Sequence, residues 1–342
     1  MKKITFIISS LEQGGAQRTL TYLANFLSKD YTVEIITFDK PAQKPFFSLQ
    51  KQVKVQKLNL FKPQAGIIKR LQELRKAVIQ SNPNIIISFL DITNVTTLLA
   101  TMGLRIATIV CERSDPRKHY IPWVYRVFRK LLYPLAAKIV VQTNDVKAYF
   151  NSNNVIIIPN ILETPTKITS PKTTKRFITI SRLSEHKGVD LLIKAFIEIK
   201  NDLPEWRLEI FGDGPYKPTI TEHLRGATND VWQTLSEGGI FVFPSMYEGY
   251  PNACIEALAA GLPVIASECN GVKDVIVNDY NGILVPVGDI KALSKDMKKL
   301  AKNPQKMKAI ASHAQEIIAA HSPEKIYPMW LAIINHKYSS DK

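Results

Sequence analysis

The sequence predicts an α/β protein of two Rossmann-like domains facing across a cleft, and three observations lead there. Short β-branched runs alternate with helical patterns along the whole chain, the signature of βαβ units around parallel sheets. The 342 residues exceed one such domain, at roughly 100–200 residues per domain. The pattern also restarts after residues 165–175, where two prolines among Thr, Ser and Lys suit a linker.

In the first half the β-branched runs place strands at Ile4–Ser9, Thr32–Phe38, Val53–Leu58, Ile85–Phe89, Ala107–Cys111, Lys138–Gln142 and Val155–Ile158. Helical spacing fills the intervals at Gly15–Ser28, Ile67–Gln80, Asn94–Met102, Pro122–Leu135 and Asp145–Phe150. The second half gives strands at Phe177–Ile180, Arg207–Phe211, Phe241–Phe243, Pro263–Ala266 and Gly282–Val285, with helices at Gly188–Lys200, Asn252–Ala260, Ile290–Ala301 and Pro304–Ala319. A last amphipathic stretch, Pro323–His336, carries Ile326, Met329, Trp330, Ile333 and Ile334 on one side, enough to dock on a surface. The expected domains are therefore 1–165, 170–320, and a helix and tail at 323–342 packing back on the first. Open α/β sheets bind ligands beyond the carboxyl ends of their strands, so the site is expected between the domains.

Composition narrows the function. Three cysteines without a C-x-x-C pair supply no zinc set and fit a reducing compartment, so a cytoplasmic location is expected. The apolar start Ile4–Leu11 runs into Glu12–Gly15 instead of a small-residue cleavage pattern, and no stretch approaches the ~20 apolar residues that span a bilayer. The net charge of +15 is unevenly placed. Residues 1–168 carry 24 Lys and Arg against 10 Asp and Glu, whereas residues 169–342 carry 21 against 20. That asymmetry fits an anionic partner for the first half, a phospholipid surface or nucleic acid.

The segment from Pro244 to Ile265 carries the most chemistry. Glu248 falls in a loop after an apolar strand and Glu256 in the helix that opens near Pro251 or Asn252. Backbone N–H groups at such a helix start hold sugar hydroxyls or phosphate oxygens, and a carboxylate accepts from hydroxyls. Read from spacing alone, two glutamates eight apart fit a solvated helix pair equally well. Arg182 and Lys187 lie in a strand-to-helix loop, and as a bare R-x-x-x-x-K they read as an ordinary surface pair. Gly212-Asp213-Gly214-Pro215 is a tight turn after a strand, and Gly14-Gly15 opens the first helix; neither fits a dinucleotide or P-loop fingerprint.

Taken together, P-S-x-x-E-G-x-P-N-x-x-x-E-A-x-A-x-G-x-P-V at 244–264 resembles the signature of the retaining GT-B glycosyltransferases of family GT4. Ser181-Arg182-Leu183-Ser184-Glu185-His186-Lys187-Gly188-Val189-Asp190-Leu191-Leu192 resembles that family's G-R-L-x-x-x-K-G-x-D-L-L, Gly212–Pro215 its G-x-G-P, and Gly14–Arg18 its G-G-A-E-R. The resemblance implies that Glu248 contacts the donor sugar, Glu256 the nucleotide ribose, and Arg182 and Lys187 the diphosphate. It also implies that backbone at Gly249, Tyr250, Pro251, Gly212, Gly214, Gly14 and Gly15 borders donor or acceptor. No metal or other cofactor is expected, since the D-x-D motif of the other glycosyltransferase fold is absent.

Ile86–Asp91 and Glu112–Pro116 are similar to a bacterial branch that builds surface polysaccharides and lipid-linked oligosaccharides, including transferases that add N-acetylgalactosamine to undecaprenyl-diphosphate-linked glycans. The implied partners are a nucleotide sugar, UDP-linked in that branch, a lipid-linked glycan acceptor and an anionic membrane surface, with no nucleic acid, at the cytoplasmic face of the membrane. Epimerase or hydrolase activity, or nucleotide-sugar binding without turnover, are the alternatives. Two departures stand out. Many relatives carry a histidine after the fifth strand of the first domain, where this chain has Arg113, with His119 six residues on. Between Gly214 and Phe241 the chain is short, so a strand near the nucleotide base is expected to be reduced or missing. Two basic helical stretches, 67–80 and 123–132, bear apolar stripes read as core and cations suited to an anionic leaflet.

Overall fold

The computed structural model describes residues 1–60, 66–166, 168, 171–216, 221–228 and 230–336. It forms two compact units, one of residues 1–161 with 326–342 and one of residues 162–325. The division falls at Ile161 because that side chain packs into the first unit's core while its neighbour Leu162 packs into the second's. Residues 167, 169 and 170 of the expected linker and 337–342 of the tail lie outside the described residues.

The first unit is a parallel sheet of β1 (Lys3–Ile8), β2 (Thr32–Thr37), β3 (Lys54–Lys57), β4 (Ile85–Phe89), β5 (Ala107–Cys111), β6 (Lys138–Val141) and β7 (Val155–Ile157), ordered β3-β2-β1-β4-β5-β6-β7. Strands buried on both faces read as unbroken apolar runs, which is why they were legible. Ile4, Phe6 and Ile8 of β1 meet Leu20, Leu23 and Leu27 of α1 (Gly15–Leu27), while Ile7 turns to the opposite face with Leu74 and Val78 of α2 (Ile67–Ser81). Three more helices follow: α3 (Asp91–Thr101), α4 (Trp123–Leu132) and α5 (Asn144–Phe150). The expected helix 122–135 is shorter, its last turn tightening into a separate 3-10 turn at Tyr133–Leu135 around Pro134.

The second unit is a parallel sheet of β8 (Arg176–Ile180), β9 (Arg207–Phe211), β10 (Ile240–Phe243), β11 (Val264–Ser267) and β12 (Ile283–Val285), ordered β12-β11-β10-β8-β9. Its helices are α6 (Val189–Ile199), α7 (Val231–Ser236), α8 (Asn252–Ala259), α9 (Ile290–Ala301), α10 (Pro304–Ala314) and α11 (Ile317–His321). The single helix expected at 304–319 is two, broken at Gln315, whose side chain donates to the Ala259 carbonyl. The short α7, capped by Asp230, was not expected.

The departure after Gly214 takes a definite form. Beyond β9, among the described residues, the chain pairs with it at one parallel bridge, Ile210 with Leu224, where Ile210 N–H donates to the His223 carbonyl and the Ile210 carbonyl accepts from Arg225 N–H. Parallel neighbours ordinarily need a crossover of a dozen or more residues. Here residues 212–223 separate Phe211 from Leu224, the lower limit of such a crossover, and among the described residues the pairing there is that bridge.

The last helix among the described residues is α12 (Pro323–Ile334), whose Ile326, Trp330, Ile333 and Ile334 enter the core around α1 and β1. Tyr327 stacks on Phe26 with centroids 3.5 Å apart. No helix among the described residues is long and apolar enough to cross a membrane.

Candidate functional site

The order of the second sheet reverses at β8, with β9 on one side and β10 on the other. Loops leaving the carboxyl ends at such a reversal frame a ligand crevice. The loop after β8 carries Arg182 and Lys187, and the loop after β10 carries Glu248. Three contacts bind the loops together. Gly188 adopts φ +66°, and a Cβ there would collide with the Pro244 carbonyl oxygen. Met246 N–H donates to the His186 carbonyl at 2.8 Å, and the His186 and Tyr247 rings stack 4.7 Å apart.

The result is that Lys187 Nζ donates to Glu248 Oε1 at 2.6 Å and lies 5.6 Å from the centroid of the Phe243 ring. The two side chains are only 18% and 8% exposed. A cation and a carboxylate are thus fixed at the reversal point, partly shielded from water. Gly188→Ala is expected to lower activity about 100-fold by displacing Lys187, since an ångström of misplacement suffices for that loss. Steady-state kinetics beside circular dichroism check it; native kinetics in the folded variant would show that the close approach is dispensable.

Arg182 is solvent-exposed on the same loop. The turn at Gly212 and Gly214, read as room for a nucleotide, also leaves room for this loop: a Cβ on Gly212 would strike the Ser181 carbonyl and one on Gly214 the Leu183 carbonyl. Leu183 N–H donates to the Asp213 carbonyl at 2.9 Å. Glu256 lies on α8 and is 6% exposed. Gly249 and Pro251 lead into that helix, backed by Gly271 at φ +84°. Between them Tyr250 turns its phenol inward and donates to His321 Nε2. His321 Nδ1 in turn donates to the Ile317 carbonyl at 3.0 Å, and burial lowers the ring's pKa.

The first sheet reverses at β1, beside β4. Gly14 and Gly15 follow β1 and open α1. Asp91 follows β4 at the first position of α3, just after Leu90 at φ +77°, a strained angle for a bulky residue of the kind found at functional sites. His119 Nδ1 meets Asp91 Oδ2 at 2.7 Å, and that bond raises the histidine's pKa; its side chain is 45% exposed. Arg113 turns inward instead. Its Nη1 donates to Asn160 Oδ1 at 2.7 Å, its guanidinium lies over Phe89 and Trp330, and its Nε and Nη2 are shielded from solvent.

Below these, Glu112 is 1% exposed and accepts from the Tyr133 hydroxyl at 3.1 Å, with Arg129 at 3.7 Å. Burial, with a smaller push from Asp91, raises its carboxyl from the ordinary 4.5 to about 7 despite Arg129. Between those two pH values the folded chain holds a proton that the unfolded chain has released. That stabilisation is complete below the unfolded value and is lost as pH rises through the folded one. Glu112→Gln is expected to flatten the fall of melting temperature between about pH 5 and 8. His119 titrates with the same sign and stays in both proteins, so an unchanged fall would assign it there.

Sequence reasoning missed Asp91 as the partner of His119 and Phe243 beneath Lys187; each lies at a strand's carboxyl end, the one signal available. Among the described residues no three His, Cys, Asp or Glu side chains gather as metal ligands do.

Residues 160–317 match the family described as glycosyl transferases group 1, and residues 13–164 match glycosyltransferase family 4. The chain is 28% identical, over 98% of both chains, to a Campylobacter jejuni enzyme named GalNAc-alpha-(1->4)-GalNAc-alpha-(1->3)-diNAcBac-PP-undecaprenol alpha-1,4-N-acetyl-D-galactosaminyltransferase. Its fold is similar to sucrose-phosphate synthase from Thermosynechococcus elongatus, with TM-score 0.84 and 16% identity over 98% of each chain. The Anabaena protein HepE, solved with UDP and glucose, gives TM-score 0.82 and 18% identity over 98% of this chain and 100% of that one.

Proposed function

Because the chain belongs to the GT4-type glycosyltransferases of GT-B fold, we propose that it moves a hexose or N-acetylhexosamine from a UDP-sugar, with retention, to a lipid-linked glycan. The relative that acts on an undecaprenol-linked glycan supports the acceptor class, and the neighbour holding UDP and glucose supports the donor class. The observation that carries the reading is the Lys187–Glu248 pair, held at 2.6 Å where the second sheet reverses.

In this reading Lys187 and Arg182 take the diphosphate, Glu256 the ribose, and Glu248 the sugar hydroxyls. Backbone at Gly249, Tyr250, Pro251, Gly212 and Gly214 borders the nucleotide. Fixed cations matter because negative charge grows on the departing phosphate, and preorganised donors cost no rearrangement then. The acceptor oxygen bonds to the anomeric carbon on the face that the UDP oxygen leaves, and the hydroxyl proton passes to that oxygen. Configuration is thereby kept without a covalent nucleophile. The first unit binds the acceptor, with His119, set by Asp91, and the backbone at Gly14 and Gly15 at its reversal point; nucleic acid is no partner. The basic first half supports a position against an anionic membrane surface, on the cytoplasmic face in this reading.

Screening nucleotide sugars for thermal stabilisation, then supplying the best with an undecaprenyl-diphosphate-linked glycan, tests the proposal. A glycan extended with the donor's own anomeric configuration supports it, and an inverted product refutes retention. Sugar released without acceptor would instead mark a hydrolase. The one-bridge pairing beside β9 among the described residues favours one other reading, a binder without turnover, which stabilisation by UDP with no product would establish.

A further inference from the structure

The apolar side chains of α4 divide between two faces. Phe128 and Leu132 pack with Val95, Tyr133 and Val146 in the first unit's core. Trp123, Val127 and Leu131, four residues apart, are 71%, 48% and 61% exposed. That spacing lines them up along one side of the helix, and Tyr120 and Leu135, 78% and 72% exposed, extend the line at both ends. The sequence reading put Trp123 and Leu131 in a core stripe; the structure turns them outward. Scattered exposed apolar groups need no explanation, but a continuous row of five does.

Charge identifies what covers the row. From Pro116 to Asn144 the chain contains Arg117, Lys118, Arg126, Arg129, Lys130 and Lys138 and no Asp or Glu. Arg129 is buried on the inner face against Glu112 and the Tyr149 hydroxyl, whereas Arg117, Lys118, Arg126 and Lys130 are exposed. An exposed apolar row on a segment that carries cations and no carboxylate matches a surface that is apolar within and anionic at its rim. We propose that α4 docks on an anionic phospholipid bilayer, with Trp123, Val127 and Leu131 entering the boundary between headgroups and acyl chains while Arg126 and Lys130 meet the phosphates. This deepens the membrane location proposed above and makes no use of the donor site.

The test uses the full chain and no sugar donor. The native protein is expected to sediment with vesicles containing phosphatidylglycerol and little with phosphatidylcholine alone, the binding weakening with salt. Trp123→Ser/Val127→Ser/Leu131→Ser and, separately, Arg126→Glu/Lys130→Glu should each weaken it about tenfold or more. Brominated lipid should quench the native tryptophan fluorescence on binding, and Trp123→Phe, which leaves the core untouched, should lose that quenching. Failure of the native chain to bind, native affinity in both multiple variants, or quenching that persists in Trp123→Phe overturns the proposal. So does concentration-dependent dimerisation abolished by the serine variant without vesicle binding, which would give the face to a second copy. Transfer to a water-soluble acceptor is expected to be unchanged in these variants, so docking and transfer can fail separately.

Discussion

Lys187→Ala is expected to lower kcat/KM about 100- to 1,000-fold, the loss typical when one preorganised electrostatic contact to a developing charge is removed. The same change should abolish thermal stabilisation by UDP. The fold should survive, because Lys187 lies in a loop and its carboxylate partner keeps 8% exposure to water. Stability should still fall by about 1–2 kcal/mol, the cost of leaving a mostly buried group without its hydrogen bond. Adding Glu248→Gln to the alanine variant removes the stranded charge and should restore most of the melting temperature while restoring no activity. A double-mutant cycle separates the two effects. Recovery of activity in the double variant would mean that Lys187 acts only as a counter-ion to Glu248.

Arg176→Met is expected to have the largest effect on stability. Its guanidinium is fully buried and donates to Glu209 Oε2 at 2.6 Å, to the Gly238 carbonyl at 2.6 Å and to the Thr234 carbonyl at 2.7 Å. These bonds tie β8 to the end of α7 and the turn into β10, next to the segment where the chain is short. Removing one partner of a buried pair typically costs about 3–5 kcal/mol, because the other charge stays buried. For a unit of this size that is on the order of 10 °C in melting temperature. Glu209 also meets Arg207 Nε at 3.1 Å from its exposed side, so the carbonyls of Thr234 and Gly238 bear much of the loss. Adding Glu209→Gln should therefore recover only part of it, and a melting curve within about 1 kcal/mol of native would show that the network is dispensable.

The parallel strands were legible because burial on both faces leaves an unbroken apolar run, as in Ile85–Phe89. The two parts of 304–321 were not, since the break comes from Gln315 bonding across to Ala259, a partner distant in sequence. The same reason hid the pairings at the sites. Lys187 reaches Glu248, 61 residues on, because β8 and β10 are neighbours, and His119 reaches Asp91 because β4 lies beside β5. Residue types and loop positions could be read from spacing, but adjacency belongs to strand order. The bond from the Tyr250 hydroxyl to His321 was hidden in the same way, since its partner lies 71 residues on. For α4, the apolar residues of 123–132 read as one core stripe, because periodicity marks apolar positions without showing which of them a neighbour covers; Leu132 is covered and Trp123 and Leu131 are not.

A crystal structure of the chain with UDP tests the central claim most directly. The diphosphate is predicted within hydrogen-bond reach, about 3 Å, of Lys187 Nζ, with Arg182 alongside and the ribose hydroxyls on Glu256. A nucleotide bound away from the loops that follow β8 and β10, with the Lys187–Glu248 contact undisturbed, would contradict it.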